Sequence, residues 1–289
     1  MEKPLVSVLT TAFNRESYIA QAIESVMNQT YSNWELIVLD DCSTDSTVKI
    51  AKTFAENDKR INVYINEINL GDYPNRNRAV SLSKGSLIVF VDSDDMIKPS
   101  AISHIVNLFL KFPDSSFMTL NRDKFYKNEI MVSSNDFVRR SFYNHSNLHF
   151  GPGATVIKKT FFDEIGGFPT KYGPANDMFY NIKAASNSPI ILCKMEYLDY
   201  RIHEGQEINN IYSYLYNGYL YFEDVMRLSE LPLSSEERKY FIKKNKRRFI
   251  VNSINYFLKT KNLRNTFNAY RKVQFRLKDL IIGIFQFNF

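Results

Sequence analysis

The residues best placed to do chemistry are acids. Asp40 and Asp41 close the apolar run 34–39, and Asp92-Ser93-Asp94-Asp95 closes the run 86–91. Each group follows a β-type segment, so both are expected at strand C-termini, where open α/β sheets bind their ligands. Three acids within four residues repel one another unless a cation lies among them. A divalent metal, Mn2+ or Mg2+, carrying a nucleotide diphosphate is the simplest partner. Such ions take a few carboxylate oxygens and complete their shell with phosphate oxygens and water.

The chain also offers groups for the rest of a nucleotide. Thr10-Thr11-Ala12-Phe13-Asn14-Arg15 leaves the first strand and can bracket a flat base, with Thr11, Phe13 and Arg15 as its candidates. Asp41 or Asp40 can accept from a pyrimidine N3–H, and Arg76 can reach base or phosphate. No GxGxxG follows the first strand and no GxxxxGK[ST] occurs anywhere, which excludes a dinucleotide-type or P-loop cradle. The diphosphate charge then falls to a metal on Asp92 and Asp94.

Elements that would position these groups can be read from periodicity. Strand and helix patterns alternate through the first hundred residues, the βαβ signature of a mainly parallel sheet with helices on both faces. The first strand is expected over Val6–Thr10. Ile19, Ala22, Ile23, Val26 and Met27 then mark a helix, with Asn14 or Ser17 as its cap. The second strand ends at Asp40, and Ser43 or Thr44 is placed to cap the helix that follows. Asn62–Ile65 reads as a third strand, and the turn at Asn69-Leu70-Gly71-Asp72 feeds a helix ending near Gly85. After the fourth strand Pro99 opens a helix, and from Phe117 the pattern is mixed, including Gly151-Pro152-Gly153. From Asn209 onward it is helical, in three stretches: 212–228, 236–258 and 262–284. The tyrosines 212, 214, 216, 219 and 221 read chiefly as helix packing.

The 289 residues and 44% apolar content suit one large α/β domain with an extension. We expect a catalytic unit over 1–208 and a helical, basic extension over 209–289. Cys42 and Cys193 suggest neither a disulfide framework nor a metal knuckle, which fits a reducing compartment. A strand-like run starts at Leu5, so no secretory leader is expected, and no apolar run approaches the ~20 residues of a spanning helix. The net charge of +6 is uneven: from Ser234 onward fourteen Lys and Arg face three acids, leaving that segment at +11 and the remainder at −5. A basic tail interleaved with Phe, Tyr and Leu suits an anionic membrane surface or a solvated face; nucleic acid is not expected as a partner.

Taken together, Val6-Ser7-Val8-Leu9-Thr10-Thr11-Ala12-Phe13-Asn14-Arg15, Ser25-Val26-Met27-Asn28-Gln29-Thr30-Tyr31, Glu35-Leu36-Ile37-Val38-Leu39-Asp40-Asp41-Cys42-Ser43-Thr44-Asp45 and Phe90-Val91-Asp92-Ser93-Asp94-Asp95 resemble the inverting family 2 glycosyltransferases of the GT-A fold, over roughly residues 4–200. That resemblance implies Asp94 as the metal-binding acid of an Asp-x-Asp signature, Asp92 near ribose and metal, Ser93 between them, and Asp41 and Arg76 at the uridine. It also implies a catalytic base at Asp177, within Gly173-Pro174-Ala175-Asn176-Asp177. There Asn176 departs from the family's commoner Glu-Asp pair, and an amide cannot act as a base. His203, in Arg201-Ile202-His203-Glu204, is a candidate third metal ligand or a surface loop residue.

The chemistry asks for a base independently: a hydroxyl attacking an anomeric carbon opposite the departing nucleotide must give up its proton. The processive members' Gln-x-x-Arg-Trp is absent, since the only tryptophan is Trp34. The expectation is therefore single-sugar transfer from a nucleotide sugar, chiefly a UDP-sugar, to a glycan or lipid-linked acceptor in bacterial surface polysaccharide synthesis. The setting would be cytoplasmic, peripheral at the inner face of the plasma membrane, with a homo-oligomer left open. Two rivals stand beside it: a nucleotidyltransferase, which should carry a glycine-rich basic loop after the first strand, and a catalytically silent nucleotide-sugar binder, suggested by Asn176.

Overall fold

A computed structural model describes residues 3–121, 123–143, 148, 150–202 and 210–285. The first half reads β1 (Val6–Ala12), α1 (Ile19–Met27), β2 (Trp34–Asp40), α2 (Thr47–Asn57), β3 (Ile61–Ile65), α3 (Asp72–Leu82), β4 (Leu87–Phe90), β5 (Met96–Ile97) and α4 (Ala101–Lys111). The second continues with β6 (Phe117–Leu120), β7 (Ile130–Val132), α5 (Ser134–Tyr143), β8 (Thr155–Lys158), α6 (Lys159–Glu164), α7 (Asn176–Asn187), β9 (Ile190–Cys193) and β10 (Leu198–Asp199). Four helices close the chain: α8 (Ile211–Val225), α9 (Ser235–Thr260), α10 (Leu263–Lys272) and α11 (Leu277–Phe285).

The main sheet runs β3-β2-β1-β4-β8-β6-β9-β7. Its first four strands are all parallel, whereas β8 pairs antiparallel with both β4 and β6. Strands β5 and β10 form a small antiparallel ribbon. The central parallel strands β1, β2 and β4 are mainly apolar and buried because both faces are covered. In β2, Leu36 and Val38 enter the core beneath α1, α2 and α4, while Ile37 and Leu39 enter the opposite one; β4 divides likewise, Val89 from Ile88 and Phe90. Strand β1 lies between β2 and β4, so the two acidic tips flank the loop that leaves β1 rather than sitting on adjacent strands.

Buried polar contacts fix the parallel half. The Ser7 hydroxyl donates to Glu35 Oε1 at 2.6 Å, and the Gly85 N–H donates to Ser7 Oγ at 2.8 Å. A Cβ on Gly85 would lie 2.5 Å from the Ser7 nitrogen, so only glycine lets the chain enter β4 this close to β1. The expected caps differ from those observed. Asn14 adopts φ +52° and its side-chain oxygen accepts the Thr44 N–H at 2.9 Å, tying the β1 loop to the β2 loop; neither it nor Ser17 caps α1, which starts after Tyr18. At α2, Asp45 rather than Ser43 or Thr44 accepts the Thr47 N–H, at 2.9 Å.

The C-terminal helices do not pack as a separate unit. Tyr221, Val225, Met226, Leu231, Leu233 and Phe241 share one core with Phe168 and Tyr180, on the other side of the 208/209 boundary. Beyond it, Leu215, Tyr219, Phe249, Tyr256, Ala269 and Val273 make a second cluster among α8, α9 and α10. Ser234 and Glu237 form a reciprocal capping box at the start of α9. The single stretch expected over 262–284 is instead two helices, because Gln274 turns into the left-handed region at φ +51° between α10 and α11.

Candidate active site

A cleft of about 1660 Å³ opens over the C-terminal ends of β1, β2 and β4. It exceeds the roughly 300–1,000 Å³ typical of one small ligand. Thr11, Phe13, Arg15, Asp41, Arg76, Asp92, Ser93, Asp94 and Asp177 all line it. Phe13 is 44% exposed, an aromatic face open to a planar ligand. Asp40 is not in the lining: its carboxylate turns to Ser43, accepting the backbone N–H at 2.7 Å and the hydroxyl at 2.5 Å. His203 lies outside the described residues; two residues before it, the Arg201 N–H donates to Asp95 Oδ1 at 2.9 Å.

Asp41 organises the wall of the cleft. Its Oδ1 accepts from Asn66 Nδ2 at 2.6 Å and the Leu70 N–H at 2.8 Å, and its Oδ2 accepts from the Gly71 N–H at 2.8 Å. The turn so held passes through Gly71 at φ +83°, a backbone state that glycine adopts freely. Three of the carboxylate's roughly four lone-pair sites are thus used by the fold, leaving one for a ligand.

Arg76 is 6% exposed and lies between two acids, Nε 2.7 Å from Asp72 Oδ1 and Nη1 2.6 Å from Asp92 Oδ1. Burial alone would lower its pKa, but Asp72 and Asp92 hold it well above its usual value. For Asp92 burial dominates and raises the pKa; Arg76 opposes this, while Asp72 and Asp94 add to it. Arg15 Nε stands 3.4 Å from Asp94 Oδ2. Burial pushes the neighbouring Asp95 up to about 7. Two arginines therefore partly offset a cluster of carboxylates whose oxygens suit a hard divalent cation. The donor set at Asp92 and Asp94 fits Mn2+ or Mg2+.

Asp177 stands at the first turn of α7, partly open to the cleft. Its Oδ1 accepts the Met178 N–H at 2.6 Å, and Gly151 faces Oδ2. Burial raises its pKa to about 7 and Asp72 pushes the same way, while the Met178 N–H, Arg76 and the Tyr73 hydroxyl pull it down. Asn176 is buried and closes the turn before α7, accepting the Tyr172 N–H at 2.9 Å and donating to the Gly173 carbonyl at 2.6 Å. That second bond needs a donor, which a carboxylate lacks. Asn176 therefore anchors the turn that presents Asp177.

Asp72 and Tyr73 were missed as site residues because they read as a turn. Their signal was the placement of an acid and a phenol at a helix start one turn before Arg76. The far wall comes from Tyr214 on α8 and from Asn252, Asn255, Tyr256 and Lys259 on α9. Four of the five tyrosines near 212–221 pack as expected, and Tyr214 faces the cleft. Elsewhere among the described residues, His104, Glu129 and Cys193 form a group of metal-type side chains outside the cleft lining. His104 Nε2 and Glu129 Oε1 already meet at 2.6 Å, and burial pushes the Cys193 thiol up to about 12, so this is a closed hydrogen-bonded cluster with a neutral thiol.

An open, mainly parallel α/β sheet with a cleft across β1, acids on both sides of it and a further acid at a helix start has the layout of the GT-A fold. The chain belongs to glycosyl transferase family 2, whose model matches residues 7–166. It is 30% identical over 218 residues to the UDP-Glc:alpha-D-GlcNAc-diphosphoundecaprenol beta-1,3-glucosyltransferase WfgD of Escherichia coli, covering 73% of this chain and 82% of WfgD. TuaG of Bacillus subtilis, a glycosyltransferase named for teichuronic acid biosynthesis, is 43% identical over 96 residues, 33% of this chain and only 38% of TuaG. In fold, the chain is similar to S. aureus TarS 1-349 in complex with UDP-GlcNAc, with TM-score 0.74, 20% identity and coverage of 96% of this chain and 81% of that one. A mannosyltransferase of Pyrobaculum calidifontis in complex with GDP-Man and Mn2+ gives a TM-score of 0.64 at 15% identity, covering 98% of this chain and 84% of that one.

Proposed function

We propose that this glycosyltransferase moves a single hexosyl or N-acetylhexosaminyl group, with inversion, from a UDP-sugar to a hydroxyl of a glycan or lipid-linked acceptor in bacterial surface polysaccharide synthesis, at the cytoplasmic face of the membrane. The observation that carries this reading is that Asp92, Asp94 and Asp177 line one cleft large enough for a donor and an acceptor together.

The base stacks at Phe13 and meets the remaining acceptor site of Asp41, and Arg15 and Arg76 bring positive charge toward the diphosphate. Asp92 and Asp94 would hold Mn2+ or Mg2+, with His203 as a candidate third ligand. When bound, the ion offsets the charge that develops on the leaving diphosphate. Arg76 then keeps Asp92 oriented, and Arg15 does the same for Asp94. Asp177 accepts the acceptor hydroxyl's proton at Oδ2 while the Met178 N–H keeps Oδ1 in place. A carboxyl with a pKa of about 7 is a stronger base than an ordinary aspartate and is still half ionised at neutral pH. WfgD, by its name, uses UDP-glucose and a lipid diphosphate acceptor, which supports the same substrate classes here. Asn176 does not weaken the reading, because its amide serves the turn rather than the reaction.

The test is release of nucleoside diphosphate from a panel of nucleotide sugars with and without Mn2+, followed by NMR assignment of the product anomer. Stimulation by Mn2+, preference for a UDP-sugar and an inverted anomer are expected. A retained anomer, or turnover unchanged by chelation, would refute the mechanism.

A further inference from the structure

Among the described residues, eight of the twenty large apolar side chains that stand exposed fall between Val251 and Ile284. They are ordered on their helices. Val251, Ile254 and Leu258 recur at helical spacing on α9, with exposed Arg247 and Lys261 at the two ends of the stripe. Leu263 and Phe267 lie one turn apart on α10 beside Arg264 and Arg271, and Leu277, Ile281 and Ile284 follow α11 behind Arg276 and Lys278. Both α10 and α11 pack against α9. No helix among the described residues is long and apolar enough to cross a bilayer. Apolar stripes edged by Lys and Arg are the pattern of helices that lie in a membrane interface.

From these observations we infer that α9, α10 and α11 form a surface that seats the protein on an anionic bilayer, with the acceptor side of the cleft opening beside it. Charge selects the occupant. The segment from Ser234 onward carries +11, so pairing this surface with its equivalent on a second copy would bring like charges together, whereas anionic headgroups neutralise them. The apolar stripes in turn are of no use to a nucleic acid backbone. The second half of the inference follows from helical geometry. Asn252, Asn255 and Lys259 line the cleft, and Val251, Ile254 and Leu258 each precede a cleft residue by one or stand one turn from it. One residue is about 100° of rotation, so the cleft wall and the outward stripe are adjoining faces of one helix. An amphiphilic acceptor can then leave its lipid tail in the bilayer while its headgroup passes Lys259. This second half rests on the transferase reading; the membrane surface does not.

The experiment is sedimentation of the full chain with vesicles of equal parts phosphatidylglycerol and phosphatidylcholine, and with phosphatidylcholine alone. Binding to the anionic vesicles is expected to be about tenfold stronger or more and to fall as salt rises. Ile254→Ser with Leu258→Ser, and separately Phe267→Ser with Leu277→Ser, should each weaken it about tenfold, while release of nucleoside diphosphate without vesicles stays at the wild-type rate. Absence of vesicle binding overturns the inference, and so does binding that the apolar substitutions leave unchanged. Self-association lost on the same substitutions, with no vesicle binding, would assign the surface to a second copy instead. Vesicle binding is read without any sugar nucleotide, so an inert chain that still binds would sink the transferase reading alone.

Discussion

The two sides of the cleft are built differently. On the β1–β4 side every charged group is held by others: Asp41 by two backbone N–H groups and Asn66, Arg76 between Asp72 and Asp92, Asp94 beside Arg15. The facing side presents Tyr214, Asn252, Asn255 and Lys259 from the long helices α8 and α9. On the proposed reading, the fixed half serves the ligand whose chemistry never changes, the nucleotide and its metal. A wall of separate side chains on helices can vary with the acceptor without disturbing that half. Asp177 belongs to neither wall entirely, since it projects from α7 yet feels Asp72 and Arg76.

The hardest test of this division is Asp177→Asn. Loss of a general base is expected to lower kcat by about 10²–10⁴-fold, while donor affinity by calorimetry stays within about twofold, because the donor half is intact. A parallel loss of donor affinity would merge the two halves. Stability should move the other way. A folded pKa of about 7 exceeds the ordinary aspartate value, so the folded state holds a proton that the unfolded state releases. Wild-type stability from this group is then full below pH about 4 and lost as pH rises to about 7. Denaturant melts should find the asparagine variant gaining on wild type across that window.

Next in size is Asp94→Ala. It should abolish Mn2+ stimulation and lower turnover about a hundredfold, in line with several kcal/mol of lost charge stabilisation; turnover that still responds to Mn2+ would move the metal elsewhere. Asp41→Asn probes the donor wall itself. Its carboxylate accepts three N–H bonds, and an amide offers one oxygen, so at least one of those donors loses its acceptor. A loss of about 2 kcal/mol in stability is expected, with a severalfold rise in donor KM. An unchanged melt would mean that the turn at Gly71 stands without Asp41.

The β1–β4 wall of the cleft was legible in the sequence because its logic is local. Apolar runs that end in acids name strand tips, and the order of those runs fixes which loops meet. What the sequence did not carry is which acid turns inward: Asp40 and Asp41 are adjacent, and only the pairing of Asp40 with Ser43 and of Asp41 with the turn at Gly71 separates them. Asp177 was reached through its resemblance to the family, not from spacing alone. Tyr73, Asp72 and the α9 wall were hidden because they depend on contacts between segments far apart in the chain. The break at Gln274 was equally silent, since nothing about a glutamine announces a positive φ.

The smallest effect separates position from charge at the junction of the two halves. The Tyr73 hydroxyl is one of the groups that favour the ionised form of the Asp177 carboxylate, against the burial that raises its pKa. Tyr73→Phe removes that hydroxyl and leaves the ring, itself buried, in place. The pKa of Asp177 should then rise, and the pH at which kcat/KM reaches half its plateau should move up with it. Below that midpoint the variant would be severalfold slower, and on the alkaline plateau it would match wild type, because the carboxylate is ionised in both. A loss of equal size at every pH would instead mean that the hydroxyl holds Asp177 in place rather than setting its charge. A profile that does not move at all would place Tyr73 with the donor wall and leave Asp177 to be set by Asp72 and Arg76.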